Sequence, residues 1–87
     1  QLFEVQGHLP GLALCHRYQA YIASERAQYE IARLHLECSL SLCRALRDLT
    51  GIGETLRQLA ELLEKQGQVN EALALYREAL QFMQTSR

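Results

Sequence analysis

The chain has 87 residues, enough for one small domain and too few for a deep cleft between two. It is 48% hydrophobic and 22% charged, and leucine alone fills 17 positions, which excludes a disordered tail. Nine Lys and Arg against ten Asp and Glu leave a net charge of -1 with no run of successive basic residues, so neither nucleic acid nor an acidic membrane surface is an expected partner.

Three cysteines, Cys15, Cys38 and Cys43, contain no CxxC pair. That argues against a disulfide framework and a four-ligand zinc site, and points to a reducing, cytoplasmic compartment. No stretch approaches the roughly 18–20 apolar residues of a membrane span, and the opening QLFEVQGHLP lacks a signal pattern. A start at Gln rather than Met suggests a segment of a longer chain.

Apolar residues recur at helical spacing, and no segment alternates like a half-buried strand. A short first segment, residues 1–9, runs into punctuation at Gly7 to Gly11. Pro10 suits the first turn of the next helix, where its missing N–H would have had no partner. Further breaks at Ser24 to Ala27, Asp48 to Gly51 and Gln66 to Gln68 delimit four helices of about 15–20 residues. Thr50 is the expected N-cap of the third helix, and Gly67 the left-handed residue that ends it. Gln68 with Glu71 echoes a capping box. Connections this short force antiparallel neighbours.

Sliding the sequence along itself by 40 positions aligns nine identical residues in 47. Two of the pairs, Ala20 with Ala60 and Ala32 with Ala72, fall mid-helix, where a methyl group lets two helix axes approach closely. In the second unit, Leu56, Leu59, Ala60, Leu63, Gly67, Ala72, Tyr76, Ala79 and Leu80 follow a pattern of large, small, glycine and aromatic positions. This unit resembles a tetratricopeptide repeat. The first is degenerate: Ala20, Ala32 and Leu40 agree, but Gln19, Ala23, Ala27 and Leu36 replace two large residues, the glycine and the aromatic. The 40-residue spacing is similar to the longer-helix variety of that family.

The resemblance implies an all-α, right-handed superhelix of two helical hairpins preceded by an N-terminal partial helix. It divides a single domain into the tail of a preceding repeat (1–9), a degenerate repeat (10–48) and a well-matched repeat (49–87). It also implies a non-catalytic scaffold that binds a protein or peptide, without cofactor. The sensory part of a larger regulator is the alternative within binding; a small enzyme or metal protein is the alternative of another class.

The residues themselves offer little chemistry. Cys15 and His16 are adjacent on a helix, about 100° apart, and cannot form a nucleophile–base pair. His35 aligns with Leu75 and reads as a neutral, packed histidine. Cys38 and Cys43 do not share a face. Glu54, Glu61, Glu64 and Glu71 read as a solvated face, supported by Glu61 and Lys65 at i and i+4. Tyr18, Tyr21 and Tyr29 read as inter-helix packing, with stacking on a base or peptide as the alternative.

In the family the first helix of each hairpin lines a concave surface. Carried over, this points Arg17, Tyr21, Ser24 and Glu25 inward from one repeat and Glu54, Arg57, Glu61 and Lys65 from the next. Arg17 and Arg57 are repeat equivalents, two solvent-facing guanidiniums suited to an acidic peptide. The basic and asparagine residues of the family's carboxylate-clamp adaptors are missing, since Tyr18, Tyr21, Gln58 and Glu61 occupy those turns. On the last helix, Ala72, Tyr76, Ala79, Leu80 and Met83 form an apolar stripe that Leu73, Leu75 and Phe82 widen. Tyr76, Leu80, Phe82 and Met83 are therefore the expected terminal interface, covered by a further repeat or a second copy of the chain.

Overall fold

In a computed structural model the chain folds into four helices: α1 (Leu9–Glu25), α2 (Tyr29–Leu46), α3 (Leu49–Lys65) and α4 (Val69–Thr85). The structure describes residues 9–85, and side chains as far as Met83. The expected partial helix before residue 9 lies outside them. Helices α1 and α2 form one hairpin, α3 and α4 the other, and α3 touches all three of its companions.

One turn is used three times. Ala27, Arg47 and Gly67 take the left-handed conformation, with φ of 60°, 55° and 83°. After each, the next amide reaches back five residues: Gln28 N–H to Ala23 O, Asp48 N–H to Cys43 O and Gln68 N–H to Leu63 O, all at 2.9 Å. This double closure satisfies the last carbonyls of each helix. Gly67 takes the expected conformation without a Cβ penalty, whereas Ala27 and Arg47 adopt it against theirs. Because the three turns recur every 20 residues, the 40-residue offset is twice a single helix-plus-turn unit.

Two boundary expectations need correction. Asp48, not Thr50, caps α3: its Oδ1 accepts the Gly51 N–H at 3.0 Å, and Thr50 is already helical. Gly11 and Gly51 are helical too, not punctuation. Gly51 is required by close approach, since a Cβ there would lie 2.7 Å from Cys43 Sγ and 2.5 Å from Asp48 Oδ2.

The core has two parts joined by Leu59. Ala13, Cys43, Ile52, Leu56 and Ala79 form one, and Ala20, Ala23, Ala32, Leu36 and Leu62 the other. All four mid-helix alanines, Ala20, Ala32, Ala60 and Ala72, are buried. Among the large apolar residues described, Leu36, Ile52, Leu56 and Leu62 are buried, alongside seven alanines, so the interior depends on close helix approach more than on bulk. Two buried hydroxyls join α2 to α3. Thr55 Oγ1 donates to Gly51 O at 2.7 Å, which leaves Ser39 Oγ to donate to Thr55 Oγ1 at 3.0 Å. In the first hairpin, His16 and His35 face each other with Nδ1 atoms 2.9 Å apart, so one ring supplies the proton and the other the lone pair.

Helix α4 divides its apolar residues differently from the single stripe expected. Ala72, Leu75, Ala79 and Phe82 turn inward: Ala72 and Ala79 are buried, and Leu75 and Phe82 pack on the core. A Cβ on Gly53 of α3 would lie 3.4 Å from Phe82 Cβ and 3.0 Å from Met83 Cγ. Phe82 and Met83, both half-buried, thus pack toward α3 rather than standing fully outward. Val69, Leu73 and Leu80 are exposed on the other side, with Tyr76 half-buried between them.

Candidate partner-binding groove

Because α3 repeats α1 forty residues later, the two helices lie side by side and present equivalent faces. Three bonds hold them in register. Gln58 Nε2 donates to Arg17 O at 3.2 Å, and Lys65 Nζ donates to Ser24 Oγ at 3.1 Å and to Glu25 Oε2 at 2.9 Å. Between them runs a groove with two adjoining hollows that share Tyr21 and Gln58.

The lower hollow, about 310 Å³, is lined by Leu14, Arg17, Tyr18, Glu54 and Arg57 besides the shared pair. The upper one, about 350 Å³, has a floor of Ala20, Leu36 and Leu62 and a rim of Ser24, Glu25, Glu61, Glu64 and Lys65. Both volumes fall within the range of about 300–1,000 Å³ typical of ligand sites. Every residue expected on the concave face lines one hollow or the other: Arg17, Tyr21, Glu54 and Arg57 the lower, Tyr21, Ser24, Glu25, Glu61 and Lys65 the upper.

The electrostatics differ from expectation. Arg17 is half-buried and turns its guanidinium to Cys43 Sγ at 3.8 Å, away from a solvent-facing pose. Arg57 is engaged by Glu61 at 2.7 Å. The pair therefore does not form an open two-guanidinium clamp for an acidic peptide. Glu61 takes Arg57 as its partner rather than Lys65, which reaches across to Glu25 instead. That hydrogen bond, more than any other influence, raises the Lys65 pKa above its ordinary value.

Tyr18 and Tyr21, expected in inter-helix packing, are 64% and 60% exposed on the groove, and only Tyr29 packs on the core. Leu14 and Glu64 line the groove without having been expected there, whereas Gln58 was expected at one of its turns. The signal for Leu14 was its i-3 spacing from Arg17, and for Glu64 its i+3 spacing from Glu61. Glu64 Oε1 accepts the Tyr76 hydroxyl proton at 2.9 Å, and burial followed by this bond raises the Tyr76 pKa.

Among the described residues no three His, Cys, Asp or Glu side chains gather as a metal site, and no helix is long and apolar enough to cross a membrane. Cys15 and Cys38 are exposed free thiols, and Cys43 is a buried one.

Two hairpins, stacked alanines and a groove between equivalent helices define a helical-repeat protein. The tetratricopeptide repeat family model matches residues 11–85, and the chain belongs to that family. Such repeats mediate protein–protein interaction and scaffolding and are generally non-catalytic. No curated protein and no solved structure matches the chain.

Proposed function

We propose that the chain is a non-catalytic interaction module that holds a peptide segment of a partner protein in the groove between α1 and α3. The observation that carries this reading is the pair of adjoining hollows with Tyr21 at their junction, where an exposed ring and an apolar floor await a side chain. Arg17, Tyr21, Glu25, Glu54, Arg57, Glu61 and Lys65 are the proposed lining, with 10–48 and 49–87 as the two repeats that build it. Selection of binders from a random-peptide display library tests it. Tyr21→Ala should weaken a selected peptide about tenfold, and Leu73→Glu on the far face should not. The reverse result would move the site to α4.

A second reading concerns α4 itself. Tyr29, Leu36, Leu40 and Cys43 on α2 are the repeat equivalents of Val69, Tyr76, Leu80 and Met83, and Leu36, Leu40 and Cys43 pack in core clusters that α3 completes. The same stripe on α4 leaves Val69 54% and Leu80 56% exposed, with Leu73 beside it at 47%. It is suited to a further repeat helix or to a second copy of the chain. Leu73→Glu with Leu80→Glu replaces outward residues and keeps Phe82 in place. Sedimentation should show these changes reducing self-association of the isolated chain, and a wild-type chain that stays monomeric at high concentration would remove the second-copy option.

A further inference from the structure

We propose that the upper hollow receives a lysine or arginine side chain of the bound peptide, with the Glu64 carboxylate as its counter-charge. The inference rests on the groove reading above and specifies what the groove selects.

The floor suits the stem of such a side chain. Ala20, Leu36 and Leu62 bring apolar side chains to it, and each is buried by the surrounding helices. An aliphatic stem gains by covering them while its charged head stays at the rim. Tyr21 stands at one wall with its ring exposed, placed to meet a cation on its face.

The rim supplies the charge. Four ionisable side chains other than tyrosine line it: Glu25, Glu61, Glu64 and Lys65. Lys65 is committed to Glu25 and Ser24, and Glu61 to Arg57. Glu64 has only the neutral Tyr76 hydroxyl, and among the described residues no cationic group lies within 4.0 Å of its carboxylate. That hydroxyl occupies Oε1 alone and leaves the carboxylate its charge and its second oxygen for a cation at the rim. The last turns of α1 and α3 also end at this hollow, at Glu25 and Lys65, and the negative ends of two helix dipoles favour a cation in the same place. An acidic side chain there would face the Glu64 carboxylate and both helix C-termini. The lower hollow differs, with Arg17 and Arg57 against Glu54.

The test uses the same random-peptide display library, selected in parallel on the wild-type chain and on Glu64→Gln. Glutamine keeps an acceptor for Tyr76 and removes only the charge. The expected result is enrichment of Lys or Arg on the wild type, loss of that enrichment on Glu64→Gln, and binding of a wild-type-selected peptide to Glu64→Gln about tenfold weaker. Glu37→Gln, a charge loss on the exposed side of α2 away from both hollows, should not weaken the same peptide. Enriched peptides without a basic residue, or basic peptides that bind Glu64→Gln as well as wild type, overturn the inference. If Tyr21→Ala still abolishes binding in those cases, the groove reading survives its failure. Tyr21→Ala without effect, or no enriched peptide at all, overturns both.

Discussion

Lys65 and Glu25 occupy equivalent positions in successive repeats, forty residues apart, and their side chains meet at 2.9 Å. A sequence-equivalent pair has become a contact because α3 lies beside α1 in nearly the same register. Both side chains are about half exposed, so solvent screening limits the bridge to no more than about 1 kcal/mol. Its value lies in closing one wall of the groove. The Lys65 pKa is raised in the folded chain, so this contribution is fully present below the unfolded value near 10.5 and disappears as pH rises through the folded one. Tyr76, also raised, adds a loss of the same sign from about pH 10 upward. Thermal melts of wild type and Lys65→Met should differ slightly at neutral pH and converge as pH rises above the ordinary lysine value of 10.5. A gap that widens in alkali would contradict the assignment.

Ala27 carries the turn that Gly67 carries in the second hairpin, at a φ of 60° that a Cβ disfavours by about 1–2 kcal/mol. Glycine's greater freedom in the unfolded chain takes back about 0.4–1 kcal/mol. Ala27→Gly should therefore stabilise the fold by roughly 0.5–1 kcal/mol, and Gly67→Ala should destabilise it by about as much or more. Denaturant midpoints of the two variants check the pair, and equal shifts in one direction would show that the turns are not equivalent.

The buried alanines make a stronger prediction. Ala60 is fully enclosed and Ala72 nearly so. Ala60→Leu and Ala72→Leu should each cost about 1–3 kcal/mol through overpacking, while Glu37→Leu at an exposed position on α2 should cost little. A wild-type melting temperature for Ala60→Leu would mean that α3 does not approach its neighbours as described.

The hydroxyl chain between α2 and α3 calls for a double-mutant cycle. Ser39→Ala removes the outer donor and leaves Thr55 satisfied by Gly51 O, at a cost of about 0.5–1.5 kcal/mol. Thr55→Val strands the Ser39 hydroxyl and should cost about 1–3 kcal/mol. The double variant should lose less than the sum of the two, and strict additivity would show that the bond contributes nothing.

Much of this arrangement was legible in the sequence, because helical periodicity and the 40-residue offset act on every turn. Ala20, Ala32, Ala60 and Ala72 were identified from small size at repeating places, and all are buried. The concave residues followed from the family resemblance, and they do line the two hollows. Direction within a face was not legible. Arg17 sits on the inward side of α1, yet its long side chain bends back to Cys43, a choice that depends on tertiary neighbours. Phe82 shares an apolar surface with Leu80, but about 200° of helical rotation places one against Gly53 and the other in solvent. The turns at Ala27 and Arg47 carry no glycine to announce them, and the Asp48 cap competes with Thr50 for the same role. His16 and His35 meet only because α1 and α2 pack antiparallel at that level, which no local pattern encodes.

The proposed partner peptide lies between α1 and α3. Titrating a selected peptide into isotopically labelled protein and following backbone amide shifts by NMR tests it most directly. Changes should concentrate along Leu14, Arg17, Tyr18 and Tyr21 on α1 and Glu54, Gln58 and Glu61 on α3, with the exposed residues of α4 little affected. Shifts confined to Val69, Leu73 and Leu80, with Tyr21 and Gln58 unmoved, would contradict it.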